Sequence, residues 1–164
     1  FRAPTFSLDA STSWAIDCLK KFGYSYDSSM VPVKTKMYGL SKAEKYPYKI
    51  SSSSLEKHDS KSEIWEFPLM KTKILGKNIP AGGGFYLRTL PTRIIQNSIN
   101  QYNKKNKPAI MYIHSWELTP EHMPKIELPI KEKFITYHNI HKALPKMDEL
   151  VKKFEFTSFE RYLS

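Results

Sequence analysis

The hydrophobic and polar positions change period several times along the chain, and each change predicts an element. Trp14, Ala15, Cys18, Leu19 and Phe22 recur at helical spacing, so a helix is expected from about Ser13 to Phe22, with Gly23 as its stop. Pro4 cannot donate to a strand ladder, and Asp9, Ser11 and Thr12 are capping types, so Arg2 to Ser7 reads as a strand end running into a loop. Tyr24 to Tyr26 reads as a short strand with Asp27-Ser28-Ser29 at its end. Strand, helix, strand is the unit of a parallel sheet. From Met30 to Ser62 no period survives Pro32, Gly39, Pro47 and the serine run 51–54, which predicts a long irregular excursion. Strand character returns at Ile64 to Phe67 and again at Leu69 to Leu75.

The second half reads more sharply. Pro91 suits the first turn of a helix whose face is Ile94, Ile95, Ser98, Ile99 and Tyr102. Ala109 to Ile113 is a short apolar run typical of a strand buried on both faces, and it ends abruptly in His114-Ser-Trp-Glu117. Polar and stacking side chains at the end of a buried strand are where sites are built. Leu118 to Pro129 reads as a proline-rich loop, and Phe134 to His141 fits no single period. A helix from Pro145 would turn Met147, Leu150, Val151 and Phe154 inward. Phe156 would form a very short strand, and Thr157-Ser-Phe-Glu160 a capping box for a last helix.

Composition narrows the function classes. With 164 residues, 40% hydrophobic and 13% aromatic, the chain is long enough for one domain with a real core and is not generally disordered. No apolar run reaches the length needed to cross a bilayer, and the start carries no signal-peptide pattern. Because it opens at Phe1, on what looks like a strand already under way, the sequence suggests a fragment, a processed product or a trimmed chain. The single cysteine, Cys18, excludes an internal disulfide and a cysteine-based zinc site, and its helical face makes packing the expected role.

The net charge of +10 would suit an anionic partner, but the lysines are scattered. Lys104-Lys105-Asn106-Lys107 falls in a turn, and no basic helix or aromatic RNA-binding signature accompanies it, so a solvated surface is expected and no nucleic-acid partner. Pro80-Ala-Gly-Gly-Gly84-Phe-Tyr-Leu-Arg88 lacks the spacing of a dinucleotide fingerprint and the Lys-Ser or Lys-Thr of a phosphate loop. What remains for it is a tight loop with exposed amides, able to approach a sugar or simply to turn. His138 and His141 have the spacing of a metal pair but no third ligand nearby, so surface histidines are expected. Arg2, Asp27 and the His114 to Glu117 group all stand at strand ends, which would converge at one face of a parallel barrel.

Taken in order, Phe1-Arg-Ala-Pro-Thr-Phe-Ser7, Gly23-Tyr-Ser-Tyr-Asp27-Ser-Ser29, Glu66-Phe-Pro68, Pro80 to Arg88 and Tyr112-Ile-His114-Ser-Trp-Glu117 resemble the C-terminal half of a polysaccharide deacetylase of the NodB-homology type. The branch resembled is the one associated with bacterial exopolysaccharide and exosortase loci. The resemblance implies a single α/β domain over 1–164, a partial distorted (β/α) barrel lacking its N-terminal strands, with a branch-specific C-terminal extension from about residue 63. It also implies metal-dependent removal of N-acetyl groups from an amino-sugar polysaccharide.

By that resemblance Arg2 pairs with a catalytic base, and the backbone amide of Thr5 donates to the oxyanion, Thr standing where the family has an aromatic residue. His114 is the general acid, and Asp27 is the carboxylate that orients it, without the Trp that normally follows. Trp116 supplies an apolar wall, while Glu117, Gly83 and Gly84 belong to the branch-specific, substrate-facing part. The family's Thr-Phe-Asp-Asp and His-x-x-x-His motifs, which carry the base and the ligands of zinc or another divalent ion, do not occur. The chain alone is therefore expected to be inactive and to bind no catalytic metal, with an N-terminal half or a second copy as its partner. The competing expectation is a non-catalytic carbohydrate-binding or scaffold module.

Overall fold

The computed structural model describes residues 1–123 and 126–164 as a mixed α/β fold with small sheets and several helices. Near the start, helix α1 (Trp14–Lys21) leads into strand β1 (Tyr26–Asp27), which pairs in parallel with β3 (Ile64–Glu66). Phe1 runs along the other edge of β1, its amino group donating to Tyr26 O at 2.6 Å and its carbonyl accepting from Ser28 N at 3.0 Å. The excursion expected to be irregular contains strand β2 (Tyr48–Ile50), antiparallel to β3. Its three residues alternate buried, half-buried, buried, a signal too short to stand out between Pro47 and the serines. The tip at Ser51–Ser54 is a tight turn closed by reciprocal backbone bonds.

After β3 the chain makes a hairpin, β4 (Lys71–Ile74) and β5 (Lys77–Pro80), around a two-residue turn in which Leu75 and Gly76 both have positive φ. It leaves and rejoins at one carbonyl, because Ala81 N and Gly82 N both donate to Met70 O, at 2.8 and 3.0 Å. Two helices follow, α2 (Gly84–Thr89) and α3 (Thr92–Asn103). The run expected as a continuous strand buried on both faces is reduced to two parallel bridges, Ile110 to Leu69 and Tyr112 to Gly83. Both faces are covered only in part: Ile110 is buried and Tyr112 half-buried against one core cluster, and Ala109, Met111 and Ile113 are half-buried against another. Among the described residues no closed barrel forms.

Helix α4 (Ser115–Leu118) begins directly after His114, where a non-helical strand end was expected. Pro124 and Lys125, inside the expected proline-rich loop, lie outside the described residues. Helix α5 (Ile130–Tyr137) settles the ambiguous stretch, α6 (Ala143–Lys153) starts two residues before Pro145, and α7 (Phe159–Leu163) closes the chain. No strand forms at Phe156, and the cap of α7 is Ser158, whose side chain accepts from Arg161 N, with Thr157 one residue outside.

The helical faces need two corrections. In α1 the buried residues are Ile16 and Leu19, while Trp14, Cys18 and Phe22 are exposed, so Cys18 is not a packing residue here. The short helix packs through one narrow side, Ile16 and Leu19 against Leu8, Met30, Leu55 and the β2–β3 residues Tyr48, Ile50 and Ile64, so the apolar stripe that the spacing suggested is rotated partly outward. In α6, which packs on α2 and α4, Leu150 is fully buried but Val151 is 48% exposed. In α3 most of the expected face holds, with Ile95, Ser98, Ile99 and Tyr102 buried, while Ile94 is half-buried and Gln96 is buried in addition.

Candidate functional site around Tyr112

The residues expected at strand ends meet around one ring. Tyr112 presents its face to the Arg2 guanidinium, whose Cζ lies 4.3 Å from the ring centroid. The His114 ring packs against the same tyrosine at 4.7 Å, and the Tyr112 hydroxyl lies 3.4 Å from His114 Nδ1. Phe6 meets it edge-on at 5.5 Å, and Trp116 stacks on His114 at 5.5 Å and 21°. Arg2, Phe6, His114 and Trp116 thus share a patch although more than 100 residues of chain separate the first two from the last two. Tyr112 was not singled out from the sequence. Its signal was the two-residue spacing to His114, which puts both side chains on one side of an extended segment.

Arg2 is held by the turn after β1. Its Nε donates to Ser28 O at 2.8 Å and its second guanidinium nitrogen to Ser28 Oγ at 2.6 Å, while Ser28 Oγ donates to Phe67 O at 2.7 Å. Burial lowers the pKa of the guanidinium from its ordinary value, opposed by Tyr112, Glu66 and Asp27 nearby. The backbone just beyond is unusual. Thr5 and Phe6 have φ of 54° each, left-handed torsions that cost non-glycine residues roughly 1–3 kcal/mol and cluster at functional sites. The flanking amides of Phe6 and Ser7 bond back to Ala3 O and Pro4 O, whereas the Thr5 N–H meets no acceptor among the described residues.

Asp27 is fully buried and points elsewhere than expected. Its Oδ1 accepts from Ser29 Oγ at 2.7 Å, Ser29 Oγ in turn accepts from Ala3 N at 2.8 Å, and no hydrogen bond joins Asp27 to His114 among the described residues. Its register partner across the parallel pair is Glu66, also fully buried, whose carboxyl accepts from Met30 N at 3.0 Å and Ser29 N at 3.3 Å. Burial first, then the Asp27 charge and a hydrogen bond to it, raise the Glu66 pKa well above the carboxylate range.

Glu117, Gly83 and Gly84 have internal partners. Glu117 Oε1 takes Arg88 Nε at 3.0 Å in a pair whose side chains are 2–3% exposed, and Glu117 Oε2 accepts from His114 N at 3.0 Å. A Cβ at Gly84 would stand 2.0 Å from Glu117 Oε2, so the glycine makes room for that carboxylate. At Gly82 a Cβ would fall 2.3 Å from Ile110 O, which accounts for a second glycine by close backbone approach. Gly83 forms the bridge to Tyr112. Arg88 gives three more N–H donors to Ile135 O, Thr136 O and His138 O, closing the end of α5.

Beyond Phe6 the aromatic surface continues through Tyr38, 5.4 Å away, to Tyr86, whose phenol is pushed up to about 12 by burial and by the neighbouring Tyr38. His138 stacks on Phe134 and contacts Asn139, while His141 lies on the surface, and no group of three metal-ligating side chains is assembled among the described residues. No helix there is long and apolar enough to cross a membrane.

Residues 28–164 match the family described as Domain of unknown function (DUF3473). The chain belongs to this family. The match takes in His114, Glu117 and the three-glycine segment and begins just after Asp27. Comparison with curated proteins and with solved structures finds no match for the chain.

Proposed function

We propose that this DUF3473 chain is the C-terminal part of a metal-dependent de-N-acetylase acting on the N-acetylated amino sugars of a bacterial exopolysaccharide or cell-wall polymer. The observation that carries the reading is the meeting of Arg2 and His114 on Tyr112, which also packs on Phe6, the residue after Thr5, whose amide meets no acceptor among the described residues. Amide hydrolysis needs a donor to the leaving nitrogen and a donor to the developing oxyanion. His114, exposed and backed by Trp116, is suited to protonate the leaving amine, and the Thr5 N–H to meet the oxyanion. Arg2, fixed by Ser28, is suited to hold a carboxylate base supplied from outside this chain.

By the family resemblance the divalent ion, zinc, would be held by an N-terminal half or partner chain. When bound there, it supplies an activated water. A partial distorted barrel is the finer reading of the architecture. It is supported by the parallel β1 and β3, by the parallel bridges at Ile110 and Tyr112, and by Phe1 lying along β1. The alternative, a carbohydrate-binding or scaffold module without catalysis, is favoured by the row of half-buried rings Phe6, Tyr38, Tyr86, Tyr112 and Trp116, which suits stacking on sugars.

One experiment separates these readings. The chain and a version extended upstream through the two missing motifs are compared for zinc content and for deacetylation of an N-acetylated oligosaccharide. Activity and one metal only in the extended protein, with a loss of about 10²-fold or more on His114→Ala, is the expected result. Sugar binding by a metal-free, inactive extended protein would select the binding module instead.

A further inference from the structure

Asp27 and Glu66 pose a problem that the deacetylase reading does not resolve. Both carboxyls are 0% exposed and stand opposite each other in the β1 and β3 register. Neither makes an ion pair among the described residues, since the nearby Arg2 spends its hydrogen bonds on Ser28. The groups facing Glu66 are Asp27 from β1, Tyr48 from its register position on β2, and Arg2 from the N-terminal segment. Tyr48 donates its hydroxyl proton to Leu55 O and so cannot serve the carboxyls. Three of the four carboxyl oxygens have donors: Asp27 Oδ1 from Ser29, Glu66 Oε1 from Met30, and Glu66 Oε2 from Ser29. The fourth, Asp27 Oδ2, is buried with none.

Two ionised carboxylates here would repel in a low-dielectric site and leave that oxygen orphaned, a costly arrangement. One proton removes both difficulties, because a neutral Glu66 donates to Asp27 Oδ2. We propose that Asp27 and Glu66 are a buried acid–carboxylate pair sharing one proton at neutral pH, and that Glu66 is thereby a positioning residue for Arg2. The path is short. Glu66 holds the amides of Ser29 and Met30, Asp27 holds the Ser29 hydroxyl, that hydroxyl holds Ala3 N, and Ser28 between them carries the guanidinium. The proton therefore fixes the turn on which the Arg2 side of the candidate site rests. This holds whether the site hydrolyses a sugar amide or only binds a sugar.

The sign of the pH dependence follows. A carboxyl whose pKa is higher folded than unfolded contributes stability that is complete below its unfolded value, near 4.3, and is lost as pH rises toward the folded value. Glu66→Gln keeps the neutral form, with its amide donating to Asp27 Oδ2 and its carbonyl accepting from Met30 N, while the longer contact from Ser29 N, at 3.3 Å, is given up. The variant should fold, and its melting temperature relative to the parent chain should rise steadily with pH above about 5.

Three readouts on the chain as it stands test the proposal without sugar or metal. Infrared spectra at pH 7 should show one carboxylic-acid carbonyl band that Glu66→Gln removes. The Arg2 Nε proton should stay protected from exchange in Glu66→Gln, and its protection in the parent chain should fall further with rising pH than in the variant. No acid band at pH 7, a band that survives Glu66→Gln, a variant that fails to fold, or a melting difference that does not grow with pH would each overturn the shared proton. Equal pH dependence of Arg2 protection in both proteins would overturn the positioning role. Failure of deacetylation would touch none of these results.

Discussion

Two buried polar clusters in this molecule solve the same problem in opposite ways. Around Glu117 a carboxylate is matched by a guanidinium, and Arg88 reaches Glu117, Ile135, Thr136 and His138 at 2.7–3.1 Å. Around Asp27 two carboxyls face each other, and the neighbouring guanidinium bonds to Ser28 instead. The first cluster ties α2, α4 and the end of α5 together and leaves no titratable group exposed. The second leaves an arginine free to keep one face on Tyr112, at the edge of the candidate site. The difference separates a polar cluster that holds the fold from one that presents a charge.

That contrast can be broken from either side. The largest effect should come from Glu117→Ala, which strands Arg88 without its anion. Loss of a buried partner costs about 3–5 kcal/mol, and denaturant unfolding should report it. If the cost were under about 1 kcal/mol, the pair would not be holding these helices. Gly84→Ala attacks the same cluster by crowding, since the new methyl would press on the Glu117 carboxylate, and overpacking of this kind costs about 1–3 kcal/mol in the same assay. In the other cluster, Ser29→Ala removes the donor to Asp27 Oδ1 and the acceptor for Ala3 N, with an expected loss of about 1–3 kcal/mol and weaker exchange protection at Arg2. The smallest change should be His114→Ala. Its side chain is exposed, so thermal unfolding should shift by no more than about 0.5 kcal/mol, even if the extended protein loses activity.

The sequence disclosed elements wherever the apolar period ran for several turns. Helices α1, α3 and α6 lie within two residues of their expected starts, because three or more repeats on one face outvote local noise. It was silent on β2, β5 and α2, which are three to six residues long and bordered by Pro or Gly. It overstated the strand at Ala109 to Ile113, since an apolar run that packs on both faces does not say how far neighbours will pair with it or cover it. At the candidate site, Arg2, His114 and Trp116 were singled out from strand ends and resemblance, and they do come together. The common ring between them was not singled out. Glu117 and Gly84 were expected to face substrate, yet their visible partners are Arg88 and each other, a pairing between distant residues that no local pattern announces. Glu66 was hidden for the same reason, because its partner lies across a sheet whose register cannot be read from either strand alone.

The β4–β5 hairpin offers a practical handle. Since the amides of Ala81 and Gly82 return to the carbonyl from which the hairpin departs, the body of the protein sees its two ends as nearly one point. Its turn projects into solvent, with Leu75 98% exposed and nothing within 4 Å of a side chain added at Gly76. A fluorophore or a short affinity sequence spliced between Leu75 and Gly76 should therefore ride on the molecule as a passenger. The far-ultraviolet spectrum and the melting curve should stay those of the parent, and a cooperative transition lost on insertion would show that the hairpin is part of the frame after all.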